Sequence, residues 1–230
     1  MAETSSTISA TQNGSAREAI LASIRRSLAT SEPFDAAWSE HHGHAAISAP
    51  VVDPVFSRDK LIENFRNNLE LLGAQFALVS SETAASEHVN AVIDKLGAKR
   101  IAISDSALVK RLVDESAIEF VENAPASFLF DCDLGVTSAQ WAIAETGTLV
   151  LESEKESHRL TSLIPPVHLC VLTASNVRQT MGEILELAGK DLSKTMTFIT
   201  GASRTSDIEL TLAIGVHGPG ELHVIVIADQ

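Results

Sequence analysis

The alternation between residues 57 and 121 constrains the fold of this chain more than any other stretch of its sequence. A helix is expected from Ser57 to about Leu72, with Leu61, Phe65, Leu69 and Leu72 on one face and Gly73 as its stop. Short apolar runs at 77–79, 100–104 and 117–121 then alternate with helical patterns at 86–96 and 108–114. Strand, helix, strand, helix, strand in quick succession is the pattern of a parallel sheet, whose crossovers need a helix between neighbouring strands. Composition agrees. Hydrophobic residues make up 45% of the chain, yet aromatics only 4% and tyrosine is absent, so Ala, Val, Ile and Leu must build the core. Leu and Ala suit helices and Val and Ile suit strands.

Beyond residue 128 strand-like runs crowd together, at 128–130, 141–145, 148–152 and 167–172. A helix is expected at 177–188, followed by strands at 196–200 and 222–228. At the other end, residues 1–14 read as a disordered tail, rich in Ser, Thr, Gln and Asn. Ser15 with Glu18 forms a capping-box pattern that opens a helix to about Ala29. Its apolar stripe, Ile20, Leu21, Ile24 and Leu28, is expected to be buried, against its own domain in preference to a partner. Residues 31–56 read as a linker, with Pro33, Pro50 and Pro54. His41, His42 and His44 lie within it without a carboxylate or cysteine at ligand spacing, so a functional metal site is not expected there. The domain organisation is thus a tail at 1–14, an N-terminal helix and linker at 15–56, and one domain at 57–230.

Two glycine-bearing polar loops near the C-terminus are not needed to make a core. The first, Gly201, Ala202, Ser203, Arg204, Thr205, Ser206 and Asp207, follows an apolar run. Its backbone N–H groups and hydroxyls can surround an anion, and the Arg204 guanidinium can hold a carboxylate or phosphate in a bidentate fork. An alternative reading makes Ser203, Thr205 or Asp207 an ordinary N-cap of a helical turn through Leu210. The second loop places His217 between Gly215 and Gly218, ahead of the last strand. His217 is a candidate acid or base near neutral pH, or a structural histidine in a Gly-Pro turn. A third corner, Glu145, Thr146, Gly147 and Thr148, offers a carboxylate, two hydroxyls and a glycine that permits close backbone approach. It reads equally as a hairpin turn whose threonines satisfy the local backbone. Arg159 lies in a charged stretch, and His168 reads as a partly buried residue donating to backbone.

Glu145-Thr146-Gly147-Thr148, Arg159, Pro165-Pro166-Val167-His168, the loop at 201–207 and the Gly215-to-Pro219 loop occur in one order at ordinary spacings. In these motifs the chain resembles the lactate utilization protein C family, whose core is the LUD domain. The resemblance is strongest over 134–228. It implies a three-layer α/β/α sandwich of the NagB/RpiA/CoA-transferase-like type, here with an N-terminal helical extension. It also implies a role in oxidising L-lactate to pyruvate beside iron–sulfur partner proteins. The ligand-binding candidates are then Thr146, Gly147, Thr148, Arg159, Gly201, Ser203, Arg204, Thr205, Asp207, His217 and Gly218, with Glu145 and His217 as catalytic candidates. Two other readings stay open. One is an independent enzyme of that fold acting on a CoA ester, folate or sugar phosphate; the other is a ligand-binding regulatory module without catalysis.

The remaining composition narrows the partners. A formal net charge of -13 opposes sequence-independent nucleic-acid binding and docking on anionic membranes. It does not oppose a small anionic ligand at a locally basic site. The N-terminus lacks a signal-peptide pattern and no apolar run is long enough to span a bilayer, so a cytoplasmic location without membrane insertion is expected. Cys132 and Cys170 are far apart in apolar segments and read as buried thiols. They cannot supply the four thiolates of an iron–sulfur cluster, and no nucleotide-binding motif is present. No cofactor is expected in this chain, and iron–sulfur clusters are expected in its partners.

Overall fold

The computed structural model describes residues 11–30, 56–113, 119–122, 125–153, 159–189, 195–206, 212–214 and 217–228. The chain divides into two units, Met1–Pro54 and Val55–Gln230. In the first, α1 (Thr11–Thr30) starts inside the span expected to be a tail, so Ser15 is an interior residue and not its cap. Within this unit Ile20, Ile24 and Leu28 lie exposed along α1, and Leu21 is half-buried.

The second unit opens with α2 (Arg58–Leu71). The Ser57 hydroxyl accepts from the Lys60 N–H, satisfying one of the free donors of the first turn. Ile62, Phe65 and Leu69 are its buried face. Then follow β1 (Gln75–Val79), α3 (Glu82–Leu96), β2 (Arg100–Ile103), α4 (Ala107–Leu112) and β3 (Glu119–Glu122). Ser81 caps α3 at its start and Gly97 closes it in the left-handed conformation. After a short helix α5 (Ala126–Leu129) come β4 (Leu134–Ser138), β5 (Trp141–Ile143), β6 (Thr148–Glu152) and β7 (Val167–Thr173). The chain ends with β8 (Val177–Arg178), α6 (Met181–Ala188), β9 (Met196–Ile199), β10 (Arg204–Ser206), β11 (Leu212–Ile214) and β12 (Glu221–Ile227).

Six strands form one sheet in the order β1-β12-β7-β4-β2-β3. Every neighbouring pair in it is parallel. Successive side chains of a strand point to opposite faces, and here both faces are covered. Leu169, Val171, Ile225 and Ile227 pack with Val89, Ile93, Val109 and Leu112 of α3 and α4. Cys170, Leu172, Val224 and Val226 pack the other way, with Phe65 and Leu69 of α2 and Leu149 and Leu151 of β6. β6 belongs to a second sheet of order β8-β5-β6-β9, so the third layer combines α2 with a small, mainly antiparallel sheet. The result is the expected α/β/α sandwich.

Three local expectations fail. Residues 126–129 are helical where a strand was expected from the Phe-Leu-Phe run, with Pro125 at the N-cap position setting the turn. The helix expected at 177–188 begins only at Met181, because Val177 and Arg178 pair with Ala142 and Ile143 of β5. The central strand β4 was not anticipated. It contains Gly135, whose added Cβ would lie 2.0 Å from the Thr161 carbonyl oxygen. A 3₁₀ turn at Arg159–Ser162 crosses β4 there, and only a glycine admits it.

Candidate functional site

Packing and hydrogen bonds fix the Glu145 corner. Gly147 has φ +66, and a Cβ on it would meet the Leu69 backbone N at 2.7 Å, so the corner is pressed against α2. The Asn68 carboxamide donates to the carbonyls of Ala144 (2.8 Å) and Glu145 (3.2 Å), fixing the turn from the helix side. The Glu145 carboxylate accepts from the Met181 N–H at 3.0 Å, the first residue of α6. It therefore satisfies a free donor at a helix N-terminus, where negative charge is favoured. Thr146 and Thr148 share a hydroxyl hydrogen bond of 2.7 Å, and Thr148 is bonded to the Thr200 hydroxyl at 2.8 Å. Through Thr200 this chain of hydroxyls reaches the wall of a cleft.

That cleft, of about 320 Å³, lies where β9 ends and where β7 and β12 begin. It is at the amino edge of the parallel strands. Two peptide hydrogen bonds tie its loops together: Ser203 N–H to the Pro219 carbonyl (2.8 Å) and Gly220 N–H to the Pro166 carbonyl (2.9 Å). Gly218 faces Ser203 so closely that an added Cβ would be 3.2 Å from the serine Cβ. The two C-terminal polar loops are thus one assembled surface, lined by Gly201, Ser203, Arg204, His217 and Gly218. Arg204 is exposed at the rim, and its Nη2 donates to the Leu72 carbonyl at the end of α2 (2.6 Å). This bond orients the guanidinium while leaving the rest of its planar fork of donors for other partners. His217 is exposed at the same rim.

The floor holds two residues that were not among the expected ligand groups, Ser162 and His168. His168 is 1% exposed, and burial pushes its pKa down to about 3, so the ring is neutral near pH 7. It is more deeply buried than expected and bonds to a side chain, not to backbone: Nε2 lies 2.8 Å from the Thr137 hydroxyl. Nδ1 is buried with no partner among the described residues. Such an atom costs about 1–3 kcal/mol when left unsatisfied, and its residue lines the cleft. The Ser162 hydroxyl donates to the Arg159 carbonyl at 2.8 Å. The one sequence signal for this floor was the Pro165-Pro166-Val167-His168 motif, which places a polar residue second in an otherwise apolar strand.

The other expected site residues are placed differently. Arg159 is exposed on its 3₁₀ turn and does not line the cleft. Thr146 and Gly147 lie at the β5–β6 corner. Thr205 lies in β10, paired with Ala213 of β11, so Arg204–Ser206 is extended and not the start of a helical turn. Asp207 and Gly215 fall outside the described residues, as do His41, His42 and His44. Among the described residues no three His, Cys, Asp or Glu side chains cluster as metal ligands. Cys132 and Cys170 are buried and not joined in a disulfide. No helix among those residues is long and apolar enough to cross a membrane.

The cleft combines one oriented guanidinium, a rim histidine, hydroxyls and a neutral buried imidazole. That set suits a small anion carrying one further polar group. The LUD domain family model matches residues 62–227, which include every residue lining the cleft. The chain is 33% identical over 153 residues to an uncharacterized protein of Neisseria meningitidis serogroup B, a match spanning 65% of this chain and 66% of that one. It is 31% identical over 213 residues to the lactate utilization protein C of Deinococcus radiodurans, spanning 90% and 93%. A crystal structure of a DUF162 family protein from Deinococcus radiodurans superposes with a TM-score of 0.60 at 27% identity, covering 75% of this chain and 99% of that one. On this sequence and structural agreement, the chain belongs to the LUD domain family, with proteins named lactate utilization protein C among its relatives.

Proposed function

We propose that this protein is a non-redox component of L-lactate utilization, and that its cleft holds a small carboxylate of the lactate or pyruvate type. The observation that carries the reading is the pairing of Arg204 at the rim with the orphaned Nδ1 of His168 on the floor. A carboxylate on the guanidinium fork leaves the neighbouring oxygen of a 2-hydroxy or 2-oxo acid to meet a neutral imidazole. The names of several relatives support the pathway. Oxidising lactate to pyruvate removes a pair of electrons, and two separated cysteines without a nucleotide motif give this chain no evident acceptor. The electrons therefore pass to iron–sulfur partner proteins in the cytoplasm, while this chain binds, presents or senses the acid.

Calorimetry and thermal shift with L-lactate, pyruvate and phosphate test the site. A charged hydrogen bond of this kind contributes about 1.5–3 kcal/mol, so Arg204→Ala should weaken binding roughly ten- to a hundredfold. Arg204→Lys keeps the charge without the fork and should recover part of the loss. If Arg204→Ala lowers stability through the Leu72 bond but leaves affinity unchanged, the cleft is not an anion site. Lactate-dependent electron transfer with the iron–sulfur partners, measured with and without this chain, tests the pathway separately.

A further inference from the structure

A second cleft, of about 360 Å³, lies at the opposite, carboxyl edge of the six-stranded sheet. Its walls come from Ser138 at the end of β4, Gln140 beyond it, Thr173 at the end of β7, and Asn176, with Leu108, Leu172 and Trp141 supplying apolar surface. The topology explains why a crevice opens beside it. β2 continues through α4 to β3 on one side of the sheet, whereas β4 leads to β7 on the other. Adjacent parallel strands whose connections depart in opposite directions leave a gap at their carboxyl ends, and open α/β sheets bind ligands there.

The hydroxyls at this switch point are arranged from both strands. Ser138 donates to the Ser106 hydroxyl across the gap at 2.8 Å. The Ser104 hydroxyl, first beyond β2, is fully buried without a partner among the described residues. None of the described residues lining the cleft is charged, so a phosphate or carboxylate would enter without a counter-charge, at a high desolvation cost. An uncharged ring with hydrogen-bonding edges meets no such cost. Trp141 packs on the Ile143, Val150 and Ile184 cluster and also lines the cleft, which gives it a held aromatic surface. The Asn176 carboxamide lines the cleft and offers a donor and an acceptor together, as the edge of a nucleobase requires.

We propose that this cleft is a second ligand site, taking an uncharged nucleobase-bearing molecule with its ring against Trp141 and its polar edge toward Asn176. The site is independent of the Arg204 cleft and stands or falls separately from it. The chain has two tryptophans, so Trp38→Phe leaves Trp141 as the single indole. Titrating the full-length Trp38→Phe protein with adenosine, guanosine, uridine and cytidine should give saturable quenching of indole emission with at least one of them. Asn176→Ala should weaken that nucleoside about three- to tenfold, the effect of one neutral hydrogen bond, and leave lactate binding untouched. Equilibrium dialysis of labelled nucleosides against the unsubstituted protein gives the same reading if Trp38→Phe does not fold. Absence of saturable binding at millimolar nucleoside would overturn the proposal. So would binding of glucose or inorganic phosphate in place of nucleosides, or an unchanged affinity in Asn176→Ala.

Discussion

Single residues decide how the first cleft behaves, and His168 is the one whose chemistry can be read without knowing the ligand. Its folded pKa is about 3, against about 6.5 when unfolded, because burial penalises the charged ring. Between those values the unfolded chain binds the extra proton, so stability rises with pH and is fully present only above about pH 6.5. The slope reaches about 1.4 kcal/mol per pH unit, which makes the loss from this one group about 2 kcal/mol at pH 5. His168→Gln removes the titration. Urea unfolding at pH 5 and pH 7.5 should show a clearly smaller difference for the variant than for the natural protein. His223 contributes in the same direction in both proteins, since burial, with the charges of Lys95 and His88, lowers its pKa against the opposing pull of Glu221. Asp133, held low by the N–H groups of Arg100 and Lys99, is lost only at more acidic pH. Equal pH dependence in the two proteins would mean that His168 is hydrated and charged in solution.

At the scale of elements, the Glu145 corner shows how one motif can tie two elements together. The carboxylate holds the first N–H of α6, and α6 carries Ile184 into the cluster with Ile143 and Val150. Glu145→Ala should cost about 1 kcal/mol of stability, as loss of a helix cap does, while leaving lactate affinity within twofold. A large loss of function at unchanged stability would instead make Glu145 a catalytic group. The corner, the Arg204 loop and the His217 loop were all legible because Gly, Thr, Arg and His interrupt apolar strands. Most helices and outer strands were legible too, since the apolar spacing of α2 and α3 and the stops at Gly73 and Gly97 are local signals. β4 was not. Its glycine exists for a contact with the turn at Arg159–Ser162, far off in sequence, and its neighbours Thr137 and Ser138 dilute the apolar pattern. Nor was the orphaned Nδ1 of His168 legible, because burial is a property of the layers around β7 and not of the residue's neighbours in the chain. The second cleft was likewise invisible, since it depends on strand order, which spacing does not specify.

At the scale of the whole molecule, the second unit carries a core of its own. Every buried apolar cluster of the second unit lies within Ile62–Ile227. The α/β/α layers of Val55–Gln230 close on themselves, with β1 at one edge paired to β12, the last strand. A strand order that places the first strand beside the last makes the unit cooperative, because the final strand must arrive before the first gains a neighbour. A chain beginning at Val55 should therefore fold, unfold in one transition, and keep its midpoint within a few degrees of the full chain, where about 1 kcal/mol corresponds to roughly 2–4 °C at this size. If the midpoint holds, the stripe Ile20, Ile24 and Leu28 has no part in that transition. Ile24→Asp in the full chain should leave the midpoint unchanged, as an exposed substitution does. If truncation lowers the midpoint by ten degrees or more and Ile24→Asp reproduces the drop, the helix packs on the domain and its apolar face is core. If both midpoints hold, any effect of Ile24→Asp on assembly with partner proteins belongs to recognition alone.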